Sequence, residues 1–132
     1  MSRIQKRDQG NQAEALALSW LEHHGFELIE SNYNRRIGEI DLIVKQPDND
    51  TIVFVEVRYR SGQQQGSALE SVDRRKQRKL VRTANAWLQQ RADSLTPARI
   101  DVIALSPASP QTPADRLWHS HELVWVISAI ED

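Results

Sequence analysis

A chain of 132 residues and 15.2 kDa has room for one domain of ordinary size, and 39% hydrophobic with 27% charged residues lets it bury a core, which excludes a disordered tail or a low-complexity linker. The absence of cysteine excludes disulfide frameworks, thiol catalysis, zinc knuckles and iron–sulfur ligation together. The net charge of −1 is silent about partners, but it conceals +6 over residues 58–82, whereas residues 8–34 carry five acidic side chains and no Lys or Arg.

The chain opens on Met-Ser-Arg-Ile-Gln-Lys-Arg, which runs into polar sequence with no apolar signal core. Its longest apolar run, residues 123–127, is five residues long, far too short to span a bilayer, so a soluble, cytoplasmic protein is expected. Residues 12–24 read as a helix, with Ala13, Leu16, Ala17, Trp20 and Leu21 on one face and Gly25 placed to end it. A short strand at 26–30 and a polar turn at 31–34 follow. Two longer strands, 39–44 and 51–59, are joined by Pro47-Asp48-Asn49-Asp50, a hairpin-type connection. Residues 73–90 form a second helix with Leu80, Val81, Ala84, Trp87 and Leu88 inward. Strands are expected at 100–105 and 123–127, separated by a surface loop at 106–115 that holds Pro107, Pro110 and Pro113. The order αβββαββ predicts one α/β domain over residues 1–132, a mixed central sheet flanked by helices.

Charges inside apolar strands are costly, so they mark the informative positions. Strict alternation sets Ile40, Leu42 and Val44 on one face of their strand and Glu39, Asp41 and Ile43 on the other; on the next strand Glu56 and Arg58 share a face with Ile52 and Phe54. Asp41 and Glu56 beside Arg58 can hold a divalent ion through oxygen ligands, or form a buried salt bridge with Arg58, and spacing alone divides these evenly. Asn11-Gln12-Ala13-Glu14 fits a capping box, which favours a capping role for Glu14 over one facing the sheet. On the second helix Arg74, Arg75, Arg78, Lys79 and Arg82 lie away from the apolar stripe, Lys76 at its edge and Gln77 upon it. That basic face suits phosphate contact or is simply a solvated helix face. His119 and His121 share a strand face, but zinc needs three or four ligands and no third is spaced to join them, so they read as surface or packing residues. No glycine-rich phosphate loop, G-x-S-x-G or H-E-x-x-H is present.

The run Gly10-x-x-Ala13-Glu14, then Gly38-Glu39-Ile40-Asp41-Leu42-Ile43, Val53-Phe54-Val55-Glu56-Val57-Arg58, Lys76-Gln77 and Arg99-Ile100-Asp101-Val102 resembles the YraN-type family of uncharacterised bacterial proteins over nearly the whole chain. That family is similar to the restriction-endonuclease-like superfamily and, within it, to archaeal Holliday-junction resolvases. The resemblance implies a restriction-endonuclease-like fold and a Mg²⁺- or Mn²⁺-dependent endonuclease acting on branched or structured DNA. Asp41 and Glu56 would be its metal carboxylates, Glu14 the acid of the first helix, and the Val57 carbonyl a further ligand. Arg58 and Gln77 would orient the phosphate or the attacking water. Arg74, Arg75, Lys76, Arg78, Lys79 and Arg82 would track the DNA backbone without reading sequence. Two departures stand out: Ile40 occupies a position named for proline, and Arg58 occupies that of a lysine, where a guanidinium stays protonated and stabilises charge but takes no proton. DNA is the expected partner, a homodimer is compatible with this reading, and no membrane is involved. The alternatives are a nucleic-acid-binding module that keeps the nuclease fold without catalysis, and an assembly or adaptor protein whose charged patch is structural.

Overall fold

The computed structural model describes residues 3–61, 67–91 and 95–131, with side chains from residue 9 onward. Met1 and Ser2 of the polar opening segment lie outside them. The first helix, α1, runs Arg3–His23 and buries Ala13, Ala17 and Leu21, which are spaced one turn apart. It begins well before the expected residue 12, with Gly10, Asn11 and Gln12 exposed on it. Asn11 is therefore inside the helix, where it cannot adopt the non-helical backbone of an N-cap, and the expected capping box with Glu14 does not form. Gly25 ends the helix as expected: at φ 86° its N–H bonds Glu22 O at 2.9 Å while Phe26 N–H reaches Leu21 O at 3.0 Å, a Schellman closure.

Strand β1, Glu27–Arg35, absorbs the turn expected at 31–34. It is an edge strand, paired only with β2 (Gly38–Lys45), so Ser31, Asn32 and Asn34 keep their side chains in water. β2 turns back through residues 46–51 into β3 (Ile52–Tyr59), with Asn49 Oδ1 accepting the Thr51 N–H at 3.1 Å. A crossover through the second helix, α2 (Arg74–Arg91), brings β4 (Ala98–Pro107) parallel to β3. β6 (His121–Ile130) runs antiparallel to β4, and the two-residue β5 (Leu117–Trp118), too short to leave a period in the sequence, pairs with the start of β6. The result is an α/β fold with one mixed six-stranded sheet, order β1-β2-β3-β4-β6-β5. No described helix is long and apolar enough to cross a membrane.

Each helix covers one face. Against α1 lie Leu42, Val44, Val53, Val55, Ile103 and Leu105; against Leu80, Ala84 and Trp87 of α2 lie Ile43, Ile52, Phe54, Ile100 and Val102. β3 thus alternates as expected, with Glu56 following Phe54 onto the α2 side. β2 does not: Ile40 packs with the α2 cluster, apart from Leu42 and Val44. The ladder between β2 and β3 stops at Leu42↔Val55, although β2 stays paired with β1 as far as Gly38, so the strand is free to turn over at Asp41.

A second irregularity lies in β6, where Ile127, Ser128 and Ala129 stand opposite the single residue Asp101 of β4. Asp101 is fully buried and fully occupied: Oδ1 accepts the Ser128 N–H at 2.9 Å and Arg99 Nε at 3.0 Å, and Oδ2 accepts Trp125 Nε1 at 2.9 Å. Ser128, whose N–H Asp101 accepts, sits at φ 52°.

Candidate functional site

The parting of β2 from β3 positions the charged residues. Where the backbone ladder ends, Asp41 Oδ2 takes the place of a carbonyl and accepts the Val57 N–H at 2.8 Å, which fixes that carboxylate in the seam. Glu56, one residue earlier on β3, is 2% exposed and sits on the α2 side. Glu14 arrives half-buried from α1, its carboxyl within electrostatic reach of Asp41, Glu39 and Asn32. Asp41 thus acts electrostatically on both Glu14 and Glu56.

Crowding acids in a dry seam favours their protonated forms. Burial first, then the charge of Asp41, pushes Glu14 up to about 7. Burial, followed by the bond and charge of Asp41, pushes Glu56 up to about 8, with Lys76 pulling the other way. Glu56 Oε2 is buried and accepts no hydrogen bond; its charged neighbours are Lys76 Nζ at 3.3 Å and Arg58 Nη1 at 4.0 Å. A buried carboxylate oxygen with no hydrogen bond, near other carboxylates, suits a hard divalent cation such as Mg²⁺ or Mn²⁺. The donors fit such an ion in kind. Among the described residues, however, no group of three or more His, Asp or Glu side chains is already disposed to hold one.

The other expected site residues lie around this seam at different distances. Arg58 Nη2 donates to Ser71 O at 2.9 Å and so anchors the 3₁₀ turn Leu69–Ser71 that leads into α2. Asp73 caps α2 by accepting the Lys76 N–H at 2.8 Å, and the Gln77 side-chain amide donates to Val72 O at 2.8 Å, which joins it to the helix entry and not to the carboxylates. The cations of α2 divide between its two flanks. Lys76 and Lys79 line a cleft of about 250 Å³ with Asn34, Arg35, Gly38 and Glu39, on the carboxylate side. Gly38 permits this approach: a Cβ there would lie 2.9 Å from Thr83 Oγ1 of α2. Arg74, Arg78 and Arg82 line a different groove of about 450 Å³, with Gln77, Val81 and Ile130. Arg75 is exposed between the two. His119 and His121 sit at the β5–β6 turn, joined by a 2.8 Å bond from His121 Nδ1 to His119 O.

Two features escaped the sequence reading. Lys76, expected among the DNA-tracking cations, has its ammonium against Glu56, and its place at the edge of the apolar stripe is the signal for it. Asp101 is a charge within an apolar strand, the same signal that marked Asp41 and Glu56, yet its partners make it a structural residue.

Residues 13–105 match the uncharacterised protein family UPF0102. A UPF0102 protein of Pseudomonas savastanoi pv. phaseolicola is 46% identical over 119 residues, covering 89% of this chain and 94% of its own. Another, from Vibrio parahaemolyticus, is 47% identical over 106 residues, covering 80% and 86%. Among solved structures, SfsA of Pyrococcus furiosus in complex with Ca²⁺ aligns over 96% of this chain and 65% of its own, at 11% identity and a TM-score of 0.32, a likeness too slight to carry an argument.

Proposed function

The chain belongs to the uncharacterised protein family UPF0102, and from the geometry of its carboxylates we propose that it is a divalent-metal-dependent DNA endonuclease of restriction-endonuclease-like architecture, acting on branched or structured DNA. One observation carries this reading: Asp41, held on the Val57 N–H where β2 leaves β3, acts electrostatically on Glu14 of α1 and Glu56 of β3, beside the cations of α2. Asp41 and Glu56 would hold the ion, with Glu14 as third carboxylate and the Val57 carbonyl as a further ligand. When bound, Mg²⁺ or Mn²⁺ supplies Lewis-acid stabilisation of the scissile phosphate and a water of lowered pKa.

The chain's own residues supply the rest. The Val57 N–H holds Asp41 so that its second oxygen can serve the site. Arg58 brings a permanent positive charge to the charge that develops on the phosphate. Gln77 acts by position, tying the first turn of α2 to Val72 beside the turn that Arg58 anchors. Lys76 and Lys79 meet the backbone next to the scissile bond, with Arg75 at the crest of the helix. Arg74, Arg78 and Arg82, on the opposite flank, meet a second length of backbone. A helix with cations on both flanks suits a branch point, where two duplex arms diverge, better than one straight duplex.

The decisive experiment is cleavage of linear, flapped and four-way DNAs with Mg²⁺ or Mn²⁺, by the parent and by Asp41→Asn. Cleavage that Asp41→Asn abolishes is the expected result. A second reading, a nucleic-acid-binding module without catalysis, is favoured by Arg58, whose guanidinium is engaged with Ser71 and cannot act as a base. It predicts salt-dependent DNA binding and no cleavage of any of these substrates.

A further inference from the structure

The pocket that would take the ion already contains a cation of the chain's own. Lys76 Nζ lies 3.3 Å from Glu56 Oε2, a buried oxygen whose charged neighbours are Lys76 and Arg58. Arg58 stands farther off, at 4.0 Å, and its guanidinium is anchored on Ser71 O. An ammonium and a divalent ion repel each other strongly at one desolvated oxygen, so they compete for Glu56. Lys76 also lines the cleft between α2 and the β1–β2 turn, together with Lys79, Arg35 and Asn34. A side chain that leaves Glu56 therefore has a polar cleft to enter, in which Glu39 offsets Arg35 and Lys79 and the net charge still favours a phosphodiester oxygen.

We propose that Lys76 is an exchangeable counter-ion: it lies against Glu56 in the metal-free chain, yields that place to a divalent ion, and moves into the cleft to take a backbone phosphate with Lys79. This rests on the metal-dependent reading above and adds its regulation. DNA that draws Lys76 into the cleft tightens the ion, and by thermodynamic reciprocity the ion tightens DNA by the same factor.

The test is calorimetric titration of Mn²⁺ into the full chain without DNA. Lys76→Met keeps the aliphatic stem and removes the competing charge, so Mn²⁺ should bind about five- to tenfold tighter, the worth of a half-exposed ion pair. Lys76→Arg keeps the charge and should stay near the parent. Lys79→Met, one turn away in the same cleft, should shift affinity by less than about twofold. A nuclease-resistant phosphorothioate duplex should tighten Mn²⁺ on the parent and not on Lys76→Met. Equal or weaker binding by Lys76→Met, where the parent binds Mn²⁺ and Asp41→Asn does not, overturns the counter-ion role and leaves the metal centre standing. Tightening by Lys76→Arg as large as by Met also overturns it. Absence of Mn²⁺ binding from the parent and every variant overturns the metal reading and this inference together.

Discussion

Glu56→Gln preserves the shape of a buried side chain and fixes it in the uncharged state. In the metal-free chain burial, aided by Asp41 and opposed by Lys76, lifts the Glu56 carboxyl from 4.5 to about 8. Because the folded value lies above the unfolded one, the folded state holds this proton more tightly. The stability so contributed is complete below about pH 4.5 and is lost as pH rises through about 8. At about 1.4 kcal/mol per unit the gap amounts to about 5 kcal/mol at most. That figure is an upper bound already net of the pairing with Lys76, which pulls the carboxyl the other way. Near pH 9, in EDTA, the variant should therefore be more stable than the parent by about 2–4 kcal/mol, which for a chain of this length is roughly 6–15 °C in melting temperature. Near pH 4.5, where the parent is itself protonated, the two should melt within about 2 °C. Thermal melts followed by circular dichroism across this range make the measurement. A Glu56→Gln protein that melts below the parent at pH 9 would refute the reasoning, since pairing with Lys76 and Arg58 would then outweigh the cost of burying the charge.

Arg58→Lys should lower the melting temperature by a few degrees, through loss of the bond to Ser71 O, and retain cleavage; Arg58→Ala should reduce cleavage by about 10²-fold, and an alanine variant as fast as the parent would remove Arg58 from the chemistry. Asp101→Asn should cost about 3–5 kcal/mol in urea denaturation, because it strips a buried charge from Arg99, and it should leave Mn²⁺ affinity unaltered. On a four-way junction, Lys79→Gln and Arg78→Gln should each reduce the slope of log K against log salt by about 0.9, whereas on a linear duplex only Lys79→Gln should do so. Identical behaviour of the two variants on both substrates would show that one arm touches both flanks of α2.

The sheet and both helices were legible because their periods are strong: Leu80, Ala84 and Trp87 repeat at helical spacing, and residues 52–55 are apolar on both faces as a central strand requires. What stayed hidden depended on pairing that the chain reveals only once folded. The polar residues 31–34 look like a turn until β1 is seen to be an edge strand. The start of α1 was hidden because residues 10–12 face water and bury nothing that would mark a period. The carboxylates were visible as charges where apolar residues were due, but strict alternation could not foresee that β2 turns over at Asp41. Likewise, patterning placed the cations of α2 on one outward face, since it shows which residues leave the core and not which neighbour each flank meets.

The bulge opposite Asp101 has a consequence for how copies of this chain behave towards one another. β5 pairs with β6 only at Glu122 and His121, so beyond that point the outer edge of β6 has no strand beside it among the described residues. A long free edge carrying Val124, Val126 and the half-exposed Ile127 would be a template for sheet growth between molecules. The three residues looped out against Asp101, with Ser128 in a left-handed conformation, interrupt the regular row of donors and acceptors and bend the strand away from a docking partner. Loss of Asp101 would remove the acceptor that holds this bulge, and with it the feature that interrupts the edge.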